Sequence, residues 1–507
     1  MAEAGPRAHH QVTFAVLALG VAAYALLQSL VIPVLTTVQH QLHTTQGTAT
    51  WVLTAYLLSA SIMTPILGRI GDMTGKKRVF VATLIALAAG SLLAALAPSI
   101  GVLIVARVIQ GIAGGMIPVA FGIIRDEFPA GKVTGAVGIL ASLTAVGAGL
   151  GIVLAGPIVN LLGYHWLFWI PMILTVIAAV SAVLLVPESE VRTPGRISWL
   201  PAVLLSAWLV AVLVALSQAP SWGWGSGTVI GLLAGAVVLA AAWVLTELRA
   251  ATPLIDMQMM RRTAVWTNNL VALLIGVGMY ATFAFLPEFV QTPSAAGYGF
   301  GASITRSGLM LLPSAITMFC VGMFAGRLAA RLGGKVLVVA GCLIGCVAMA
   351  ILAFAHHEQW EIYLSSAIMG VGFGLAFAAM SALVVAAVPP SQTGVASGMN
   401  ANIRTIGGSI GAAVMASIVT SHLGPSGLPK ETGYTIGFAA MAGGLVLAAL
   451  AGLLIPAAQR LRPAAAGSDH SEIALVAGGA VAGGTGAGGA VAGGTGAAAT
   501  VVADSSE

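Results

Sequence analysis

The chain contains fourteen apolar stretches, each long enough to cross a lipid bilayer as a helix, which takes about 20 residues. Hydrophobic residues make up 58% of the 507 positions and charged residues only 7%, whereas soluble domains carry about 25% charged residues. The composition therefore excludes a water-soluble fold and predicts an all-α polytopic membrane protein. We expect spans at roughly 12–35, 50–68, 79–97, 100–124, 135–159, 166–186, 197–217, 228–248, 264–290, 304–325, 335–355, 360–388, 393–420 and 433–455.

The distribution of lysine and arginine predicts the orientation of these spans. With a cytoplasmic N-terminus, 17 of the 21 basic residues fall on the cytoplasmic side. Arg306 and Lys430 fall outside, and Arg107 and Arg404 lie within spans. Because such a bias marks the inner side of a membrane protein, we predict a multi-pass protein of the plasma membrane with both termini in the cytoplasm. The first apolar stretch lacks an Ala-x-Ala cleavage pattern, so we interpret it as a retained span.

A short basic segment occurs twice, 258 positions apart. Gly68–Arg78 reads GRIGDMTGKKR, and Gly326–Lys335 repeats its Gly-Arg opening, its glycine spacing and its trailing base. Asp72 has Ala330 as its counterpart. Since each copy follows an apolar stretch, we predict a loop at both positions and a duplicated bundle. Spans 1–6 then correspond to spans 9–14, and spans 7 and 8 are an inserted pair.

The duplication divides the chain into five parts. We predict a cytoplasmic N-terminus at 1–11, a six-helix bundle at 12–190, the inserted pair at 191–262, a second six-helix bundle at 263–460 and a tail at 461–507. The tail contains two copies of GGAVAGGTGA and few large apolar side chains, so we predict that it is disordered.

Several function classes are excluded by what the sequence lacks. No Walker-type Gly-x-x-x-x-Gly-Lys-Ser/Thr pattern is present, so any transport by this chain alone is secondary. The basic residues form no continuous face for nucleic acid, and no nucleophile–base set indicates an enzyme. The histidine pairs His40/His43 and His356/His357 come without a carboxylate arrangement. We therefore predict no metal site and no cofactor.

Four motifs resemble those of the major facilitator superfamily. Gly68–Arg78, with Gly-x-x-x-Asp-x-x-Gly and trailing bases, resembles the segment between its spans 2 and 3. Arg107–Gly115, RVIQGIAGG, resembles its span 4 motif. Gly147–Pro157 resembles the span 5 signature of its antiporters, with Ile152 where a proline is expected. Ser217–Ser226, rich in glycine and tryptophan, resembles the span 7–8 loop of its fourteen-span drug:proton antiporters.

This resemblance implies a fold and a function. The fold has two six-helix pseudo-repeats plus an inserted helix pair, rocking around a central cavity. The function is export of a small amphipathic organic compound in exchange for protons by a monomer in the lipid bilayer. One alternative is a dedicated exporter of a single metabolite with different or no ion coupling. Another is a membrane protein that does not transport, such as a sensor.

Two charged residues within spans are the candidates for coupling. Burying Arg107 in span 4 costs about 2.5 kcal/mol or more, so we expect it to face a partner inside the bundle. The resemblance implies a role in proton coupling, and the alternative is that Arg107 only ties helices together. Gln28 occupies the position of the family's first-span acid and cannot carry a proton. Glu288 in span 9 is therefore the candidate proton carrier or cation-binding group, or else an interfacial residue solvated by water.

Gating is predicted at the first basic segment. The resemblance implies that Asp72 locks the two halves together in one state. A carboxylate can do so by meeting a helix N-terminus or an arginine in that state only. The bases alternatively serve only as topology signals. The predicted gating residues are Gly68, Asp72, Gly75, Lys76, Lys77 and Arg78.

Substrate binding is predicted where polar residues meet between the repeats. Asn400 and Arg404 share a face of span 13 at a spacing of four residues. Aromatic and neutral polar walls suit an apolar or cationic substrate, and hydrogen bonding between helices is the alternative role. The candidate residues are Tyr24, Gln28, Tyr56, Tyr280, Asn400 and Arg404.

A glycine stripe in span 5 predicts a hinge. Gly147, Gly151 and Gly156 lie on this span, and Pro157 follows directly. Small residues with a nearby kink can let one half move against the other. Close helix packing alone is the alternative.

Overall fold

The computed structural model describes residues 10–44, 46–189, 198–250, 253–389, 392–422, 424 and 428–456. Within these residues it contains fourteen helices long and apolar enough to cross a membrane, and no β-sheet. The predicted all-α fold class with fourteen spans is therefore confirmed. The predicted tail at 461–507 and most of the N-terminal segment at 1–11 lie outside the described residues.

We number the spanning helices in chain order. They are α1 His10–Leu30, α2 Gln46–Thr74, α3 Lys76–Ala95, α4 Ile100–Glu127, α5 Ala130–Leu162, α6 Trp166–Leu185, α7 Trp199–Trp222, α8 Gly227–Arg249, α9 Thr263–Gln291, α10 Ile304–Leu332, α11 Gly334–Phe354, α12 Gln359–Ala387, α13 Thr393–Thr420 and α14 Glu431–Gly452. Short helices at Leu35–Gln41 and Met257–Met260 lie in the connections.

The predicted loop at Gly68–Arg78 is wrong, because most of this segment is helical. α2 continues to Thr74, Gly75 alone breaks the helix, and α3 begins at the next residue. The second copy behaves alike, with Gly333 as the single residue between α10 and α11. Gly75 has φ 120° and Gly333 has φ 90°, backbone angles that residues other than glycine rarely adopt. The feature that the two copies share is thus a turn of one residue between two helices. We call the end of the bundle that carries Gly75 the Gly75 side.

Two antiparallel helix pairs join the first six helices to the last six. Along α5 and α10, small residues meet in sequence: Gly135 faces Gly326, Ser142 faces Gly322, Gly149 faces Ala315, and Val153 faces Gly308. Along α2 and α13, Gly68 faces Gly394, Pro65 faces Gly398, and Asn402 bonds to Ser61. We call these contacts the α5–α10 seam and the α2–α13 seam. Small residues let helix backbones approach closely where lipid provides no hydrophobic drive for association.

The glycine-rich part of the span 4 motif docks α4 against α2. A side chain at Gly111 would meet the Tyr56 carbonyl oxygen at 2.7 Å, and one at Gly114 would meet Ala60 Cα at 2.8 Å. The helix tightens to one 3₁₀ turn at Ile112–Gly115. This close approach brings Arg107, one turn earlier, against α2.

The inserted helices α7 and α8 pack on each other, and α7 also contacts α2 and α13. The Trp208 and Trp243 rings lie 6.0 Å apart between them. In the following turn, the indole Nε1 of Trp224 donates to Ser417 Oγ of α13 at 2.7 Å. The inserted pair therefore covers the α2–α13 seam from outside.

We predict that Gly308→Leu destabilises the protein, because its Cβ would lie 2.7 Å from Val153 Cα. Forcing a side chain into such a contact costs about 1–3 kcal/mol. The matched control is Gly231→Leu on α8, where no atom lies within 4 Å of the added Cβ. The measurement is the midpoint of thermal aggregation in detergent, which should fall for Gly308→Leu only. Equal midpoints for both variants would contradict the tight α5–α10 seam.

Candidate functional site

A central cavity of about 150 Å³ lies between the two sets of six helices. α1, α2, α4 and α5 form one wall, and α9, α10, α12 and α13 form the other. This volume is below the roughly 300–1,000 Å³ of sites for drug-sized ligands, so the cavity must widen to take one. Five of the six predicted substrate residues line it: Tyr24, Gln28, Tyr56, Tyr280 and Arg404.

The sixth predicted residue, Asn400, lies outside the lining. Its Nδ2 donates to Asn269 Oδ1 of α9 at 2.9 Å, within the second set of six helices. Asn402 lines the cavity instead, and its Nδ2 donates to the Ser61 carbonyl oxygen across the α2–α13 seam at 2.6 Å. The face of α13 that meets the cavity is therefore the one carrying Ala401, Asn402, Arg404 and Thr405.

Arg404 provides the positive charge of the cavity wall. Its guanidinium lies 4.3 Å from the centre of the Phe377 ring, and the Tyr280 hydroxyl lies beside it. The backbone here is held close to α9, because a side chain at Gly276 would collide with the Arg404 carbonyl oxygen. A cation over an aromatic face in a desolvated site is stabilised by about 2 kcal/mol. Phe377 was missed from the sequence because one phenylalanine in an apolar span carries no distinguishing signal.

Arg107 is fully buried behind the cavity wall. Its Nε donates to the Val52 carbonyl oxygen at 3.1 Å, and its Nη1 donates to Gln110 Oε1 at 2.9 Å. The guanidinium stacks 4.2 Å from the Tyr56 ring, which faces the cavity. Its Nη2 has no hydrogen-bond partner among the described residues. Arg107 therefore reaches the cavity through Tyr56, whose ring centre lies 6.2 Å from that of Tyr24.

Among the described residues that line the central cavity, none is aspartate or glutamate. Glu288 lies elsewhere, near the end of α9 opposite the Gly75 side, with its carboxylate beside the Tyr434 hydroxyl. That hydroxyl makes no hydrogen bond of ordinary geometry. The structure thus separates the two predicted coupling residues, Arg107 and Glu288.

On the Gly75 side, Asp72 bridges the two sets of six helices. The carboxylate is buried and faces the backbone N–H of Val395 in the first turn of α13. Neither oxygen makes a hydrogen bond of ordinary geometry, so the attraction is between the carboxylate and the positive end of the helix. A side chain at Gly68 would meet the Gly394 carbonyl oxygen at 2.7 Å. Glycine at both positions is what lets the carboxylate come this close.

The three predicted gating bases have different surroundings. Lys76 is buried, with its Nζ 2.6 Å from Asp126 Oδ2 and 3.8 Å from Asp72 Oδ1. Lys77 is partly exposed and donates to the Val183 carbonyl oxygen. Arg78 is exposed and lies 3.5 Å from Glu188. Of these three bases, Lys76 is therefore the one placed to offset the buried carboxylates of Asp72 and Asp126.

Arg125 adds a second bridge that sequence reasoning missed. From the end of α4, its Nη1 donates to the Val385 carbonyl oxygen of α12 and, at 2.8 Å, to Thr393 Oγ1 of α13. A cation at the C-terminal end of α12 is favoured by the helix dipole. The run Arg125-Asp126-Glu127 directly after an apolar stretch was the available signal. On the Gly75 side, the two sets of six helices are therefore held together by Asp72 at the N-terminal end of α13 and by Arg125 at the C-terminal end of α12.

The predicted hinge glycines of α5 face two different helices. Gly147 and Gly151 pack against α1, where the Ser29 hydroxyl donates to the Gly147 carbonyl oxygen at 3.3 Å. Gly156 packs against Thr305 of α10, and Pro157 lies within the unbroken helix α5. The stripe therefore holds α5 between its own set of six helices and the other set.

A second cavity of about 730 Å³ opens on the Gly75 side beside the α5–α10 seam. Its lining is mostly apolar with three basic groups, His10, Lys132 and Arg327. It contains none of the residues predicted from the sequence as a site. Between it and the central cavity, the Gly138–Ala378 contact and the Ser142–Gly322 contact fill the space.

Fourteen spans, two antiparallel seams and a cavity between the halves define a polytopic membrane transporter of the kind built from two helical repeats. Residues 17–412 match the sequence profile of the Major Facilitator Superfamily, and the chain belongs to this superfamily. It is a multi-pass membrane protein.

Three comparisons describe its relatives. The chain is 30% identical over 391 residues to a Multidrug resistance protein B homolog of Mycobacterium tuberculosis, covering 74% of this chain and 70% of that protein. It is 27% identical over 416 residues to the Tetracenomycin C resistance and export protein of Streptomyces glaucescens, covering 81% and 76%. The crystal structure of the human organic anion transporter MFSD10 (TETRAN) superposes with a TM-score of 0.62 at 16% identity, covering 87% of this chain and 99% of that one. This last likeness shows the fold alone.

We predict that Asp72→Asn loosens the closure on the Gly75 side. Losing about 1 kcal/mol of charge–helix attraction shifts the open population about fivefold. The readout is maleimide labelling of Ser397→Cys, a buried position on α13, in a background without the three native cysteines. Labelling should rise about fivefold over the same background with Asp72 intact.

The matched control for that prediction is Arg78→Gln. Its ion pair with Glu188 is exposed, and such pairs contribute little to stability. Labelling should stay unchanged there. If the labelling rate with Asp72→Asn equals the rate with Arg78→Gln, Asp72 does not hold the Gly75 side closed.

Proposed function

We propose that this protein is a secondary active transporter of the plasma membrane that exports small amphipathic organic compounds in exchange for protons. It works as a monomer with both termini in the cytoplasm, so the Gly75 side faces inward. The observation that carries the proposal is the cavity between the two sets of six helices, walled by aromatic and polar side chains. The names of the two relatives, multidrug resistance and tetracenomycin C export, support export of drug-like compounds.

The preferred substrates are neutral or anionic aromatic compounds. The cavity wall carries Arg404 over Phe377, and Arg107 stands behind Tyr56. No carboxylate offsets these charges among the described lining residues. A cationic substrate, which tyrosines alone would suit, is repelled by Arg404 in a site of low dielectric.

Alternating access follows from the two cavities. The basic cavity on the Gly75 side is the entrance from the cytoplasm, and the contacts of Gly138 with Ala378 and of Ser142 with Gly322 are the barrier to the central cavity. Because these contacts join α5 to α10 and α12 of the other half, rocking of the halves opens or closes the barrier. The Asp72 and Arg125 bridges release when the cytoplasmic side opens.

Proton coupling is assigned to Glu288 and Arg107. Glu288 lies at the outer end of α9, where a proton arriving from outside reaches it first. Arg107 has one nitrogen, beside Tyr56, that finds no hydrogen-bond partner in the part of the chain that the structure describes. α9 also carries Tyr280 of the cavity wall, so a charge change at Glu288 can alter the substrate site through this helix.

An exporter without proton coupling is the second candidate. Gln28 lines the cavity where the family's acid is expected, and no described lining residue carries a carboxylate. In that case the substrate gradient or another ion drives transport. The lack of a carboxylate among the described lining residues favours this second candidate.

Arg404→Gln should selectively impair transport of an anionic aromatic dye. In proteoliposomes, we expect wild type to move fluorescein better than the cationic dye rhodamine 6G. Losing an interaction of about 1–2 kcal/mol at Arg404 reduces fluorescein transport about tenfold. The matched control is Arg306→Gln, an exposed arginine that donates to Gln359, which should retain the rate. Wild-type transport of rhodamine 6G alone would contradict the assigned substrate charge.

Glu288→Gln should abolish proton release driven by substrate. We reconstitute the protein in liposomes, with a pH-sensitive dye on the side of the membrane to which protons are released. Wild type should release protons when fluorescein is added. Glu361→Gln is the control, because glutamine can keep the capping interaction that Glu361 makes at the start of α12. Transport that continues without proton release in wild type would establish the uncoupled exporter instead.

A further inference from the structure

Two histidines and a glutamate meet at the end of the bundle opposite the Gly75 side. His356 and His357 follow α11, and Glu431 is the first residue of α14, 75 positions after His356. His356 Nε2 lies 2.8 Å from Glu431 Oε1, and His357 Nδ1 lies 3.6 Å from the same oxygen. One ligand atom from each of the three side chains falls within a group less than 4.8 Å across. This cluster could not be predicted from the sequence, because its carboxylate comes from a helix that is distant along the chain.

The hydrogen bond on the other side of His356 fixes how its ring is used. His356 Nδ1 lies 2.7 Å from the Leu352 carbonyl oxygen, which can only accept, so Nδ1 carries the hydrogen. In the neutral ring, Nε2 then presents a lone pair to Glu431 Oε1. Two acceptors 2.8 Å apart repel each other unless a cation lies between them. The position therefore requires either a second proton on His356 or a metal ion.

We propose that His356, His357 and Glu431 form a binding site for a divalent transition-metal ion of the Zn²⁺ type. Two imidazoles and one carboxylate are a ligand set that Zn²⁺ accepts with water in the fourth position. Mg²⁺ and Ca²⁺ prefer oxygen ligands and are excluded by the two nitrogens. The Nδ1 bond to Leu352 is the orienting contact that metal-binding histidines usually have.

Small side-chain movements complete the site. Two ligands of a tetrahedral Zn²⁺ lie roughly 3.3 Å apart, so Glu431 Oε1 must move back slightly from His356 Nε2. Glu431 is 36% exposed and His357 is 72% exposed, so both side chains have room to turn. Lys430, the residue before Glu431, carries a positive charge that would repel the metal ion, but its exposed side chain can extend away into solvent.

The surrounding contacts make His356 the rigid member of the site. Its ring is 4% exposed and packs edge-on against Phe289 of α9, with ring centres 5.1 Å apart. Phe289 also packs on Tyr434 of α14 at 5.3 Å. An ion held by His356 and Glu431 therefore links the end of α11 to the start of α14, and binding to the folded state should raise its thermal stability. This site does not depend on the proposed transport function.

The test is Zn²⁺ binding to the purified full chain, carrying an affinity tag without histidine, by dialysis against buffered Zn²⁺ and elemental analysis. We expect about one bound Zn²⁺ per chain, unaffected by excess Mg²⁺. His356→Ala should abolish binding, and His357→Ala and Glu431→Gln should each weaken it about tenfold or more. His165→Ala, an exposed histidine before α6, should bind as wild type does.

Three results would overturn the site. The first is no bound Zn²⁺ in wild type, and the second is binding that survives in His357→Ala and Glu431→Gln alike. His357 is exposed, so folding of its variant is secure, and size-exclusion chromatography checks the others. The third is a thermal stability that does not change with Zn²⁺ but changes between about pH 5 and pH 8 in wild type and not in His356→Ala. That pattern would mean that a proton occupies the position instead.

Discussion

Close approach of helix backbones along the α5–α10 and α2–α13 seams is the constraint on which the other features depend. In a bilayer, apolar side chains gain little by leaving lipid for protein, so association rests on packing and hydrogen bonds. The small residues of these seams bring the backbones into contact and leave the central cavity between the two lines of contact. Larger side chains along either seam would separate the halves, and the residues of one cavity wall would no longer face those of the other.

The electrostatics on the Gly75 side depend on that same proximity. Asp72 meets the start of α13 and Arg125 meets the end of α12, so each charge lies where the helix dipole attracts it. Both contacts join opposite halves and both are lost if the halves separate on this side. The buried Lys76 instead joins Asp72 to Asp126 within one half. It keeps two carboxylates tolerable in a buried site whether or not the halves are in contact.

Features that depend on local sequence were predictable, and those that depend on contacts between distant residues were not. The apolar stretches predicted the fourteen spans, because span length follows from bilayer thickness. The repeated basic segment predicted a loop at both positions, whereas the helices continue up to Gly75 and Gly333. Helical spacing placed Asn400 with Arg404, yet Asn400 turns to Asn269 and Asn402 meets the cavity. Arg125 and Glu431 needed knowledge of which helix ends adjoin, which no single stretch of sequence contains.

The position of α7 makes the two seams unequal. α7 lies against α2 and α13, and Trp224 ties the turn that follows it to Ser417. The α5–α10 seam has the cavity with His10, Lys132 and Arg327 beside it. The extra helices thus give the two seams different surroundings. On the Gly75 side, a helix pair thus covers one flank of the bundle and a basic cavity lies at the other, so the two flanks offer different surfaces to a solute in the surrounding leaflet.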